Sequence, residues 1–360
     1  MAGVALKNLT KQFDGKKVVD NLSLEVASGE FICLLGEPGA GKTTTLRMIA
    51  GLEAPDSGEV YIDDVLVNDL EPRSRDVAMT FQSYALYPHL TVYENLAYPL
   101  RRRKAEVDKR VREVAELLRI TDILDKKPGL CSGGERQRVA IGRTLVRRPK
   151  LYLFDEPLTN LDAKLRLHMR MELKKIQRAV GQTAIFTTPD EVEAMAIADK
   201  IVVMREGRLL QYDTNRELYR HPANLYVATL IGSPPMNVID CSLEEADGEA
   251  YLDSGVFKVN VTKNRSTIKS QATSSELLLG VRPPDVAVEK VKRGKESFEA
   301  SVFIKEPSGV DTILDLKIGD IIVKAKVPRT ATFNVGDRVW LGFADDRIHV
   351  IDKRTERVIY

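Results

Sequence analysis

The strongest constraint on this chain is a short one. Gly36-Glu37-Pro38-Gly39-Ala40-Gly41-Lys42-Thr43 matches G-x-x-x-x-G-K-[ST], directly after the apolar run Phe31–Leu35 and directly before the helical Thr44–Ala50. Strand, glycine-rich loop and helix in that order wrap backbone N–H groups around phosphate oxygens. Gly36, Gly39 and Gly41 let the loop curl, and Lys42 reaches the β- and γ-phosphates. Thr43 offers its hydroxyl to Mg²⁺, and the helix opened by Thr44 adds positive potential at its N-terminus. Glu37 is expected to turn its carboxylate away. Such a loop belongs on a parallel sheet covered by helices. Residues 1–235 carry that pattern: strand-length runs Glu30–Leu35, Leu151–Phe154, Thr183–Thr187 and Lys200–Met204 alternate with helical stripes. One stripe is Val107, Val111, Val114 and Leu118; another runs Leu161, Leu165, Met169 and Ile176 and stops at Gly181.

Downstream, the apolar strand Leu151–Phe154 ends in Asp155-Glu156. After a phosphate loop, this pair suits Mg²⁺ binding through Asp155 and polarisation of the attacking water by Glu156. These two motifs fit a nucleotide hydrolase and a kinase alike. A third separates them. In Ser132-Gly133-Gly134-Glu135-Arg136-Gln137-Arg138, Ser132 and Glu135 form a capping box, and the glycines leave free N–H groups for an anion at the helix start. Between the phosphate loop and the acidic strand, this segment resembles the signature motif of ATP-binding-cassette (ABC) ATPases.

The resemblance extends over nearly the whole chain. It implies that Ser132, Gly133, Gly134 and Glu135 meet ATP held by a partner subunit, and that Phe13 stacks on adenine. It implies that Gln82 is the Q-loop glutamine sensing Mg²⁺ and water, that Ser83–Tyr98 meets membrane subunits, and that Asp162, in the D-loop Leu158–Arg166, faces the opposite site. Catalysis would then involve Glu156, Gln82 and Asp162; nucleotide binding Phe13, Gly36, Gly39, Gly41, Lys42, Thr43 and Thr44; and Mg²⁺ binding Thr43, Gln82 and Asp155. Tyr84–His89 and Arg282-Pro283-Pro284-Asp285 narrow the likeness to the ATPase subunits of carbohydrate importers.

Three positions depart from the family. Where it has a histidine on the γ-phosphate, this chain has Pro189, which offers no side-chain donor or acceptor and suits the start of a helix Asp190–Ala198. Cys131 and Glu135 stand where the signature commonly has Leu and Gln, changes that leave the capping logic intact, with Cys131 a small apolar filler. The loss at Pro189 favours pairing with a second, unlike ATPase subunit that keeps its histidine, a homodimer being the other possibility.

After Ser233-Pro234-Pro235 the pattern changes to two-residue alternation, as in Ile321, Val323, Ala325 and Val327. Residues 236–360 are expected to be an all-β domain of barrels similar to oligonucleotide/oligosaccharide-binding folds, with Phe303, Phe333, Trp340 and Phe343 in its core. The 54 Lys+Arg against 52 Asp+Glu leave a net charge of +2, which does not support nucleic acid as a partner. A non-transport ABC ATPase on nucleic acid or ribosome, or a mainly regulatory subunit, is the alternative. Arg101–Lys104 reads as a solvated helical face. No apolar run approaches bilayer length, and the start lacks an export signal. The three cysteines fit a reducing cytoplasm. The expectation is an α/β P-loop ABC ATPase with a helical subdomain, binding ATP and Mg²⁺ at the cytoplasmic face of the membrane. It would serve two transmembrane permease subunits and, through the complex, a solute-binding protein.

Overall fold

The structure, a computed structural model, describes residues 3–100, 107–292 and 297–360. The basic run Arg101–Lys104 lies outside the described residues. The chain divides into two compact units, Met1–Asn215 and Arg216–Tyr360. The division precedes the expected 235/236 because residues 216–235 hydrogen-bond to late segments of the chain. Leu225 N donates to Glu356 O at 2.8 Å, Val358 N to Ala223 O at 3.2 Å, and Arg282 Nε to Tyr219 O at 2.8 Å.

The first unit begins with β1 (Val4–Phe13), β2 (Lys16–Val26), β3 (Phe31–Leu35), α1 (Lys42–Ala50), β4 (Ser57–Ile62), β5 (Val65–Leu66) and β6 (Val77–Thr80). It continues through α2 (Val92–Ala97), α3 (Val107–Leu117), α4 (Gly133–Leu145), β7 (Leu151–Asp155), α5 (Ala163–Val180), β8 (Thr183–Thr188), α6 (Glu191–Ile197), β9 (Lys200–Arg205) and β10 (Arg208–Thr214). An antiparallel sheet has the order β2-β1-β4-β5, and a second sheet the order β10-β9-β3-β8-β7-β6. Every residue of β3, β7 and β8 is buried, the pattern of central parallel strands covered on both faces. The strand order sets three C-terminal ends side by side: Leu35 pairs with Thr188, and Asp155 with Thr187. Ligand sites in such sheets lie beyond those ends.

The helical subdomain closes tightly at one glycine. A Cβ on Gly142 of α4 would lie 2.6 Å from Leu96 Cδ2 and 3.0 Å from Leu118 Cδ1, so a larger residue there would force these leucines to shift. α5 starts after Asp162, whose carboxylate accepts from Leu165 N, and ends at Gly181 with φ 69°. Leu161, expected as the first residue of that helical stripe, therefore precedes the helix.

The second unit runs α7 (Asn215–Arg220, its first residue closing the preceding unit), α8 (Leu225–Leu230), β11 (Asn237–Ala246), β12 (Glu249–Asp253), β13 (Lys258–Asn260), α9 (Arg265–Gln271) and β14 (Glu276–Val281). It ends with β15 (Val286–Glu289), β16 (Phe298–Ser308), β17 (Asp311–Ile318), β18 (Ile321–Pro328), β19 (Arg338–Phe343) and β20 (Ile348–Asp352). Two antiparallel sheets, β13-β12-β11-β14-β20 and β15-β19-β16-β17-β18, share one apolar core that includes Leu252, Leu279, Leu314, Leu316, Val339 and Val350. Asn237 ties them together. Its amide donates to Val281 O at 3.0 Å and Lys324 O at 2.8 Å and accepts from Lys324 N at 2.7 Å, imitating a strand's backbone. Among the described residues of 236–360 one short α-helix, α9, interrupts the strands and packs Ile268 into the core. Phe333 and Phe343 are buried in the core as expected, but Trp340 is only half-buried, with Lys292 Nζ 5.0 Å from its ring centroid, and Phe303 is 51% exposed because it points off the outer face of β16.

Candidate nucleotide-binding site

Gly36 and Gly41 of the phosphate loop are demanded by crowding, and Gly39 by its φ of 86°. A Cβ on Gly36 would lie 2.3 Å from Met204 O, and one on Gly41 2.5 Å from Val18 O; Gly41 also caps α1 with φ 95°. Lys42 is 3% exposed, its Nζ donating to Gly36 O at 2.8 Å and Glu37 O at 3.0 Å and lying 3.5 Å from Glu156 Oε1. Glu37 thus meets Lys42 through its carbonyl, and its side chain is exposed.

Around this ammonium the strand ends supply oxygen. Thr43 Oγ1 donates to Asp155 Oδ1 at 2.9 Å, and Thr187 Oγ1 donates to the same oxygen at 3.0 Å. Thr187 Oγ1 also accepts from Glu156 N at 3.0 Å, which holds the backbone where Glu156 turns sharply off the strand with φ 43°. A left-handed conformation is uncommon for a glutamate and typical of functional turns. Gln82, two residues past β6, donates from Nε2 to Glu156 Oε2 at 3.4 Å. The structure therefore brings Lys42, Thr43, Gln82, Asp155 and Glu156 together, as the sequence predicts. It adds Thr187. Sequence reading misses that residue because its contact depends on β8 lying between β3 and β7, which local spacing does not encode.

Other expected site residues stand on their own elements. Phe13 ends β1, is 42% exposed, and has Lys11 Nζ 5.3 Å from its ring centroid. Ser132 and Glu135 close the predicted capping box around α4, Ser132 Oγ accepting from Glu135 N at 3.2 Å and Glu135 Oε2 accepting from Ser132 N at 2.6 Å. The backbone hydrogen bond from Ser132 holds the Glu135 carboxyl below its ordinary range. Cys131 is buried and burial pushes its thiol up, which suits a filler. Gly134 faces the D-loop, where a Cβ would lie 3.6 Å from Leu161 Cδ2.

Pro189 is exposed immediately after β8. Contrary to the expectation, it does not begin the helix; α6 starts at Glu191 and Asp190 caps it, its Oδ1 accepting from Val192 N at 2.8 Å and Glu193 N at 3.1 Å. The neighbouring polar groups turn inward: Thr188 Oγ1 donates to Glu193 Oε2 at 2.7 Å.

Comparison with known proteins agrees with this geometry. Residues 19–159 match the ABC transporter family model, 232–286 the MalK OB fold domain and 279–351 the TOBE domain. The trehalose/maltose import ATP-binding protein MalK of Thermococcus litoralis is 46% identical over 100% of both chains. The sn-glycerol-3-phosphate import ATP-binding protein UgpC of Psychromonas ingrahamii is 42% identical over 100% of this chain and 96% of that protein. The sulfoquinovosyl glycerol transport ATP-binding protein SmoE of Agrobacterium fabrum is 39% identical over 100% of each. Among solved structures, a dimeric bacterial ABC transporter cassette superposes with a TM-score of 0.56 at 31% identity, covering 59% of this chain and 98% of that one. A phosphate loop, an acidic strand end and a capped signature helix on one sheet, followed by paired β-sheets, place the chain in a single group: it belongs to the ATP-binding, ATP-hydrolysing subunits of ABC import systems.

Proposed function

We propose that this chain powers uptake of a carbohydrate-type solute (a sugar, a polyol such as glycerol, or a sugar phosphate) by closing on ATP against a second ATPase subunit. The convergence of Lys42, Thr43, Asp155, Glu156 and Gln82 at adjoining strand ends carries this reading. Gly36, Gly39, Gly41, Lys42, Thr43 and Thr44 bind the phosphates, and Phe13 stacks on adenine. Glu156 accepts the proton of the water that attacks the γ-phosphorus, and ADP leaves. Gln82 orients that water through its bond to Glu156.

Thr43 and Asp155, with Gln82 beside them, fit Mg²⁺. They are hard oxygen donors 2.9 Å apart, and Mg²⁺ is typically held by one or two carboxylates together with phosphates and water. The ion, when bound, neutralises charge developing on the phosphates. Ser132–Glu135 and Asp162 serve the partner's nucleotide.

No described helix is long and apolar enough to cross a membrane, so coupling requires permease subunits, with the chain peripheral at the cytoplasmic face. A 330 Å³ groove beside the Q-loop, lined by Leu52, Phe81, Tyr84, Tyr98, Pro99 and Arg143, suits such docking. An external solute-binding protein would deliver the cargo. The relatives named above are import proteins, and none of their names points to nucleic acid or to a second, unlike ATPase. Unlike pairing therefore rests on Pro189 alone. Co-purification of the tagged chain from its native membrane tests the reading. Two permease subunits without another ATPase would establish the homodimer, a second ATPase the heteromer, and absence of any permease would defeat the importer.

A further inference from the structure

The segment between Glu156 and α5 is gripped by a side chain that none of the roles above uses. Arg166, one turn into α5, folds back so that one terminal guanidinium nitrogen donates to Leu161 O at 3.1 Å and reaches Thr159 O at 3.5 Å. The rest of the guanidinium faces α6. Nε lies 3.5 Å from Glu193 Oε1, and the second terminal nitrogen lies 4.0 Å from Asp190 Oδ2. Nε is buried and meets Glu193 as an ion pair, not as a hydrogen bond.

Glu193 is itself 4% exposed and also accepts from Thr188 Oγ1 at 2.7 Å, while Thr188 Oγ1 accepts from Asp190 N at 3.1 Å. Burial pushes its carboxyl up; the Thr188 hydrogen bond and then Arg166 and Arg170 oppose that, with Asp190 acting the other way. A carboxylate this deep is retained at a cost unless partners fix it, and removing one partner leaves the other stranded. Thus the residues on either side of Pro189 and the two D-loop carbonyls meet on one carboxylate–guanidinium pair. From the other flank Asn160 Nδ2 reaches the fully buried Gln137 of the signature helix at 3.5 Å. Since the Pro189 side chain supplies no polar contact, the side-chain link between the D-loop and the Thr188–Asp190 corner rests on Arg166 and Glu193.

We propose that Arg166, seated on Glu193, is a positioning residue that sets the Thr159–Asp162 segment for its work at the partner's nucleotide. This rests on the two-subunit reading above. The test uses the full-length chain as wild type, Arg166→Lys, Glu193→Gln and the double variant. Amide exchange of residues 157–162 and ATP turnover are measured together. Each single change should speed exchange in 157–162 but not in β3 or β7. Each should lower kcat on the order of ten- to a hundredfold, with KM for ATP within about twofold. The double variant should be no worse than the poorer single one, because both act through one contact. Unchanged exchange at 157–162 overturns the proposal, as do variants that keep the kcat of a wild type whose turnover depends on Lys42. Losses that multiply in the double variant also overturn it. A wild type with no Lys42-dependent turnover would defeat the functional reading instead, and exchange would still decide the positioning role.

Discussion

The two units bury polar side chains equally deeply and use them differently. At the strand ends of the first, Lys42, Asp155, Thr187, Thr188 and Glu193 are all at most 4% exposed, and besides their backbone bonds each meets another polar or charged side chain near one edge. In the second, Arg282 and Asp352 are as buried and Asn237 is 9% exposed, but their bonds run chiefly to backbone. Asn237 bonds Val281 and Lys324; Arg282 bonds the carbonyls of Tyr219 and Ile231; Asp352 accepts from the N–H groups of Thr273, Arg354 and Thr355 and from two threonine hydroxyls. Side chains that satisfy one another at an open edge can be re-partnered by a ligand. Side chains that satisfy backbone hold a fold. The first pattern marks chemistry and the second architecture.

Substitutions should therefore separate rate from stability. The largest effect is expected at Glu156→Gln, which should lower turnover on the order of 10²–10³-fold without changing the unfolding midpoint. Phosphate release and thermal melting measure the two, and a large loss of stability with little loss of rate would break the contrast. Asp352→Ala should do the reverse. It strands donors at 2.6–3.1 Å from the carboxylate and should cost about 2–4 kcal/mol in urea unfolding, with ATP affinity unchanged.

His349 sharpens the contrast through pH. Burial first, with Arg282 and His221 nearby, lowers its pKa from 6.5 to about 4. Between those values the unfolded chain takes up a proton that the folded chain refuses. Stability from this site is full above about 6.5 and is lost as the pH falls to about 4, on the order of 3 kcal/mol in total. His349→Gln should flatten that part of the pH–stability curve, and an unchanged curve would contradict the assignment. The smallest effect is Ser132→Ala. Loss of the cap should cost about 1 kcal/mol, and ATP-driven pairing of subunits should weaken if Ser132 also meets the partner's nucleotide.

Much of the nucleotide site is legible in sequence because its chemistry is local. The loop from Gly36 to Thr43, the Asp155-Glu156 strand end and the Ser132 cap each act through neighbours a few residues away. What stays illegible depends on sheet order and tertiary packing. Thr187 becomes a site residue only because β8 lies beside β7. Arg166 and Glu193 look like ordinary helix-surface charges until α5 and α6 bring them together. Residues 216–235 join the second unit through hydrogen bonds from the chain's far end, which no spacing rule reports. Phe303 reads as core by type and is exposed because β16 turns it outward.

Pro189 is the place where the chemical edge lacks a group its family resemblance leads one to expect. The most direct measurement is ATP turnover by the full-length chain alone, as wild type and as Pro189→His. The account predicts slow, Lys42-dependent turnover that the histidine raises at least about tenfold, since one positioned contact to transferring phosphate is worth that much or more. Fast turnover by the wild type that Pro189→His leaves unchanged would contradict it.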